Sequence, residues 1–339
     1  MRIGMIGVNH KLASLEMREQ IARLCARRFA DHRILHPYFS YVLLSTCNRT
    51  EIYFHSPELS QTHVYLLGIL RYGIGENIDQ RFYSFFGCDC FCHLTRVTAG
   101  LDSAILGETE IQGQVKVAYS QASQQRKLAK ELHFLFQKSL KLAKEIRTYV
   151  GQGRFPVLAK TIVETATQML GDLSLCRILF IGFSHINQTV AAWFEKQCIK
   201  NFTYCNRHVE KLQTLQLPYL LWEHKERWVD YDLIILGTKA EHYIIEQLPQ
   251  AIARPKLLID LSVPRNVAPS LGQEPHIKLL NIDQLSALAQ CPFVKEEEPM
   301  DVQYLLRSVR KQMGIFEFKE QNKKRICHQS RSPSLSTVP

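Results

Sequence analysis

Residues 41–53 read Tyr-Val-Leu-Leu-Ser-Thr-Cys-Asn-Arg-Thr-Glu-Ile-Tyr, which sets one cysteine at the end of an apolar run, beside a fixed positive charge. A cysteine attacks as its thiolate, and a guanidinium at a strand-to-loop turn is a setting that lowers a thiol pKa and leaves sulfur reachable. Cys47 is therefore the leading nucleophile candidate, although a cysteine closing a strand also packs as a small hydrophobe. In a second cluster, Cys88-Asp89-Cys90-Phe91-Cys92-His93, the cysteines alternate singly and lack a second pair downstream. Structural zinc takes cysteines in pairs, so no metal site is expected. The third cluster is Gly182-Phe183-Ser184-His185-Ile186-Asn187, between an apolar strand-like run and a helical pattern. A dinucleotide fingerprint carries Gly-x-Gly-x-x-Gly at such a turn, and only the first glycine is kept here. The context still lets a phosphate meet the helix N-terminus, with Ser184 and Asn187 expected to add side-chain hydrogen bonds and Phe183 and His185 to bring bulk. About 24 residues after Gly182, Cys205-Asn206-Arg207-His208 offers a cation and no acid, which favours NADP over NAD.

The chain must fold so as to position these groups. At 339 residues, 46% hydrophobic and 22% charged, it has room for two or three domains with sizeable cores. No run approaches the ~20 apolar residues that span a bilayer and no secretory leader is present, so a cytoplasmic protein is expected. Ten cysteines without a disulfide pattern imply reduced thiols. A net charge of +10 suits a polyanionic partner such as RNA, or a phosphorylated ligand.

Residues 1–150 begin with short β-rich runs (2–8, 41–47, 50–55, 81–86) alternating with helical stretches (14–30, 60–72, 90–102), an α+β layer with helices on one side of a sheet. Helical periodicity follows from 108 to 150. The helix expected at 126–147 carries Arg126, Lys127, Lys130, Lys138, Lys141, Lys144 and Arg147, either a phosphate-contacting or simply a solvated face. A connecting helix is expected within 151–171. From 172 to 290, strands at 176–182, 201–205, 232–236 and 257–261 separated by helical segments predict a Rossmann-like, doubly wound NADP-binding domain. Residues 291–339 hold a Pro/Glu linker, a helix at 301–318 and a tail from 319 expected to be disordered.

Four segments resemble glutamyl-tRNA reductase in that family's order: Ile6-Gly7-Val8-Asn9-His10-Lys11, residues 43–53, residues 97–119 and residues 258–269. The likeness runs from about residue 3 to about residue 285. It implies that Cys47 attacks the ester joining glutamate to tRNA, and that the thioester is reduced by NADPH to glutamate-1-semialdehyde, the first step of the C5 route to 5-aminolevulinate and porphyrins. It further implies that Thr46, Asn48 and Arg49 hold the substrate, Arg49 by pairing with its carboxylate; the structural alternative for Arg49 is a surface ion pair with Glu51 and no substrate contact. Ser103, Glu108, Thr109, Glu110 and Gln114 fall on the family's substrate-positioning sites; the chain reads Gly-Glu-Thr-Glu where Gly-Glu-Pro-Gln is common, so Glu110 adds a negative charge. His93 matches the family histidine linked to activity, and His10 is a second candidate for moving the proton. The implied partners are glutamyl-tRNA(Glu) and an aminomutase that receives the semialdehyde. Homodimerisation is expected to be weakened, because the family's extended helical dimerisation domain has only a short counterpart here. Two rival readings are a non-catalytic tRNA-binding or regulatory relative with a weakened cofactor site, and an NADP-dependent aldehyde dehydrogenase acting on a small acyl thioester.

Overall fold

The structure, a computed structural model, describes residues 1–29, 39–74, 79–102, 110–125, 127–150, 157–249, 252, 254–288 and 300–329. Strands β1 (Ile3–Asn9), β2 (Ser40–Ser45), β3 (Arg49–His55) and β4 (Tyr83–Phe86) make an antiparallel sheet in the order β2-β3-β1-β4. Successive side chains on a strand point to opposite faces, and here both faces are apolar. Ile6, Val8, Tyr41, Ile52 and Phe54 pack with helices α1 (Leu15–Phe29) and α2 (Leu59–Ile74). Ile3, Met5, Val42, Leu44 and Tyr53 pack instead with α3 (Gly87–Ala99), α4 (Glu110–Gln125) and α5 (Lys130–Val150). Helices therefore cover both faces rather than the one expected, because consecutive apolar residues on the strands leave no wet face.

The second lobe follows α6 (Val157–Leu170) and consists of β5 (Ile178–Ile181), α7 (His185–Lys196), β6 (Phe202–Cys205), α8 (Glu210–Thr214), β7 (Tyr219–Leu220), β8 (Leu233–Leu236), β9 (Lys256–Asp260), β10 (Ile277–Asn281) and α9 (Ile282–Leu288). Every strand pair in it is parallel, in the order β10-β9-β8-β5-β6-β7. The all-apolar runs Ile178–Ile181 and Leu233–Leu236 are fully buried, as strands covered on both faces must be. The chain winds outward from β5 through β6 and β7, then returns to the other side of β5 for β8, β9 and β10. The switch point thus lies between β5 and β8, where such sheets bind ligands at the strand C-termini.

Helix α10 (Met300–Gln329) extends past the expected end at 318, taking in part of the basic segment expected to be disordered; residues 330–339 lie outside the described part. It packs on α3 and α5, with Val309 buried and the Phe316 ring 4.4 Å from that of Phe134. The basic helix α5 starts at Lys130, so Lys127 precedes it and Arg126 lies outside the described residues. Lys130, Lys141 and Lys144 are exposed on it while Leu132, Leu135, Leu142 and Ile146 are buried. No described helix is long and apolar enough to cross a membrane.

Candidate active site

Ser45 pairs with Thr50, which leaves residues 46–49 as the turn of the β2–β3 hairpin. The Thr46 amide donates to the Arg49 carbonyl at 2.8 Å, and the Thr46 hydroxyl accepts from the amides of Asn48 and Arg49 at 3.2 and 3.3 Å. Thr46, expected to hold substrate, thus builds the turn that presents Cys47. Cys47 itself is half-buried, and Asn48 is buried. The His10 amide donates to the Asn48 carbonyl at 2.9 Å, and the Arg18 guanidinium donates to the Cys47 carbonyl. Burial and the charges of Arg49, Lys11 and Arg18 bring His10 down to about 4, so its imidazole is neutral at physiological pH. Fixed cations that oppose protonation of His10 favour an anion at the same turn, such as a thiolate or a substrate carboxylate.

Behind the turn lies a buried network centred on Glu51, which is wholly inaccessible. Its carboxylate accepts from Arg49 Nη1 at 2.8 Å, from the hydroxyls of Tyr53 and Tyr83, and pairs with His93 Nε2 at 2.9 Å. Burial pushes the Glu51 carboxyl up, but the charges of His93 and Arg49 and the hydrogen bonds from His93 and Tyr53 outweigh it and hold Glu51 ionised, well below the ordinary carboxylate range. Arg49, 1% exposed, also donates to the Asp102 carbonyl and, at 3.2 Å from both Nη atoms, to Asp102 Oδ2. The Arg49–Glu51 pair is therefore present but buried, not on the surface. Asp102 also binds Lys11 Nζ at 2.7 Å.

His93 is stacked on Phe85, with centroids 4.8 Å apart, and is tied to the turn through Glu51 and Arg49, whereas His10 bonds to the turn directly. Cys90 and Cys92 belong to the core beneath, and burial pushes the Cys92 thiol up to about 12. Among the described residues no three His, Cys, Asp or Glu side chains cluster as metal ligands. Ser103, Glu108 and Thr109 lie outside the described residues; Glu110 opens α4 and Gln114 is half-buried one turn later. Glu51, Tyr83 and Asp102 were not anticipated as site residues. The period of two that sets Arg49 and Glu51 on one face of β3 was the available signal.

At the second lobe's switch point Gly182 has φ 95°, and a Cβ there would come within 2.5 Å of the Gly237 carbonyl oxygen. The surviving glycine is thus required both by the left-handed turn and by the close approach of β8. Ser184 caps α7 by accepting from the Asn187 amide at 3.3 Å. Asn187, expected to face a phosphate, is fully buried and donates from Nδ2 to the carbonyls of Ile181 and Gly182 at 3.1 and 2.9 Å. It braces the turn from behind. Phe183 does not fill the turn either, since its ring packs edge-on against Tyr204 at 5.1 Å, while His185 is exposed on the first turn of the helix. Arg207 is exposed at the end of β6, its guanidinium 5.0 Å over Trp222 and its Nη2 3.4 Å from His242 Nε2. A glycine cradle, a capped helix start and a guanidinium beyond the next strand fit a dinucleotide with an additional phosphate. The buried Asp260 at the end of β9, which burial raises to about 6, accepts the amides of Ser262, Asn266 and Val267. Asn266 in turn accepts from the Thr238 hydroxyl at 2.5 Å, so the loops after β8 and β9 form one polar unit.

Residues 6–150 match the family model described as the glutamyl-tRNAGlu reductase N-terminal domain, and residues 164–288 that described as shikimate / quinate 5-dehydrogenase. A glutamyl-tRNA reductase of Chlamydia abortus is 32% identical over 331 residues, 94% of each chain. One of Akkermansia muciniphila is 35% identical over 311 residues, 85% of this chain and 90% of that protein. The solved glutamyl-tRNA reductase of Methanopyrus kandleri aligns over 95% of this chain and 81% of that one, at 22% identity and a TM-score of 0.45. The dehydrogenase-type second lobe implies a nicotinamide cofactor. Identity of this extent across both lobes, with the cysteine turn and the glycine cradle each in place, makes the chain a member of the glutamyl-tRNA reductase family.

Proposed function

We propose that the protein reduces glutamyl-tRNA(Glu) to glutamate-1-semialdehyde with NADPH, through a thioester on Cys47. The observation that carries this reading is a half-buried cysteine on a turn whose Cys47 carbonyl accepts from Arg18 and whose neighbour His10 feels the charges of Arg49, Lys11 and Arg18, in a chain that also carries a dehydrogenase-type lobe. The Cys47 sulfur bonds to the glutamyl carbonyl carbon, the ester C–O bond to the terminal ribose breaks, and the tRNA hydroxyl takes up a proton. His10, neutral and bonded to the turn, and His93, held by ionised Glu51, are the two groups placed to handle that proton. Arg49 receives the substrate carboxylate in exchange for Asp102, and Asn48, Glu110 and Gln114 complete the substrate side together with Ser103, Glu108 and Thr109. NADPH, when bound, would supply the hydride that reduces the thioester to the aldehyde, with the Cys47 thiolate as the leaving group. Gly182 and the α7 N-terminus receive its pyrophosphate, and Arg207 its 2′-phosphate.

Incubation with glutamyl-tRNA in the absence of NADPH is the direct test. Intact-mass spectrometry is expected to show one glutamyl adduct, mapped by peptide digestion to Cys47; no adduct, or an adduct elsewhere, overturns the reading. Arg207→Gln is expected to raise the KM for NADPH roughly 10- to 100-fold while leaving that for NADH within about twofold, since a charged hydrogen bond contributes about 1.5–3 kcal/mol. Steady-state rates with the two cofactors check this.

A further inference from the structure

Two neighbouring residues of α1, Arg18 and Glu19, are 1% and 3% exposed, yet both are charged and both reach into the second lobe. The Arg18 Nη2 donates to both carboxylate oxygens of Asp283 at 2.5 Å, in the first turn of α9. The same guanidinium donates from Nη1 to the Cys47 carbonyl. The Glu19 carboxylate accepts the Arg265 amide at 2.5 Å, its Nε at 3.0 Å and its Nη2 at 2.9 Å. Adjacent charges of opposite sign meeting opposite partners admit one register and reject its neighbours.

Neither partner on the second lobe is an isolated surface group. Asp283 sits where Asn281 Oδ1 caps the amides of Asp283 and Gln284 at 3.0 Å. Arg265 precedes Asn266, whose amide is held by Asp260 and whose Oδ1 accepts from Thr238, one residue beyond the Gly237 that lies against Gly182. Hydrogen bonds and ion pairs, joined through adjacent residues of the backbone, therefore link the glycine cradle to the peptide of the nucleophile.

Building on the function proposed above, we infer that Arg18–Asp283 and Glu19–Arg265 form a clasp that seats the cysteine turn against the nucleotide lobe, with Arg18 as a positioning residue that ties lobe docking to the peptide of Cys47 and so to where its thioester is presented. Capture of the acyl group needs only the first lobe, whereas its reduction needs both lobes in register. Loosening the clasp leaves the thioester formed but poorly delivered. Water then adds to the acyl carbon, the C–S bond breaks, the sulfur regains its proton and free glutamate leaves.

The test is Asp283→Asn, together with Glu19→Arg, Arg265→Glu and the Glu19→Arg/Arg265→Glu double swap. In single-turnover assays the single variants are expected to acylate Cys47 within about twofold of wild type while semialdehyde formation falls at least ~10-fold and glutamate release rises; the double swap is expected to regain most of the reduction. Equal loss in both half-reactions, no loss at all, or a double variant no better than its parents overturns the clasp. Hydrogen exchange of the amides of residues 45–49 separates this result from the enzymatic assignment. Those amides are expected to exchange faster in Asp283→Asn even if wild type forms no adduct, and unchanged exchange counts against Arg18 as the link.

Discussion

Cys47→Ser is expected to lower semialdehyde formation from glutamyl-tRNA by ~10⁴-fold or more, and to abolish the acyl adduct, since loss of a covalent nucleophile removes the whole acyl-transfer route. A serine hydroxyl of similar shape keeps the turn, because Thr46, Arg49 and the backbone supply the hydrogen bonds that close it. What is lost is the thiolate: a thiol gives up its proton far more readily than an alcohol does and is the stronger nucleophile. The side chain is half-buried and one atom is exchanged, so thermal unfolding should stay within about 0.5 kcal/mol of wild type. Single-turnover reduction with NADPH and intact-mass analysis check the two halves. Retained turnover in the serine variant moves the nucleophile elsewhere.

Those parts of the architecture that rest on local pattern were legible in the sequence. The buried runs at β5 and β8, each leading to a glycine, announced a parallel sheet without any long-range information, whereas its switch point came only from the strand order. What pattern could not give was the partner of each apolar face. Helices were expected on one side of the first sheet, whereas alternation in β1, β2 and β3 is apolar on both sides and recruits α3, α4 and α5 to the second. β7, only two residues long, and β10, with Lys278 and Asn281 breaking its apolar run, lie at the sheet edges, where tertiary pairing rather than composition decides.

The site divides in the same way. Cys47, Gly182 and Arg207 were visible because each is an unusual residue type at a strand end. The roles of their neighbours were not, because hydrogen-bond direction is a property of three-dimensional arrangement. Asn187 was expected to reach outward and instead turns inward to the carbonyls of Ile181 and Gly182, while Thr46 spends its hydroxyl on the turn. Asp102 and the Arg18–Asp283 contact, separated from their partners by 53 and 265 residues, leave no local trace at all.

Glu51→Gln is expected to destabilise the first lobe by ~3–5 kcal/mol and to cripple the site from behind, because removing one partner of a buried ion pair strands the other charge. Arg49 is 1% exposed and has Glu51 and Asp102 as its acidic neighbours; His93, Tyr53 and Tyr83 all turn a polar atom to the same carboxylate. An amide offers one acceptor oxygen where two served four partners, and sets an N–H₂ donor against groups that are themselves donors. The loss is read by hydrogen exchange of the β3 and α3 amides and by the melting temperature. The sign of the pH dependence gives a second, independent check. Glu51 is ionised in the fold well below its ordinary value of 4.5, so its contribution is fully present above that value and drains away as pH falls beneath it. Wild type should therefore lose stability steeply on acidification below about pH 4.5, and Glu51→Gln, with no carboxyl to protonate at this position, should start lower and fall less steeply across the same range. Matching acid slopes in the two proteins would place the stabilising charge elsewhere than at Glu51.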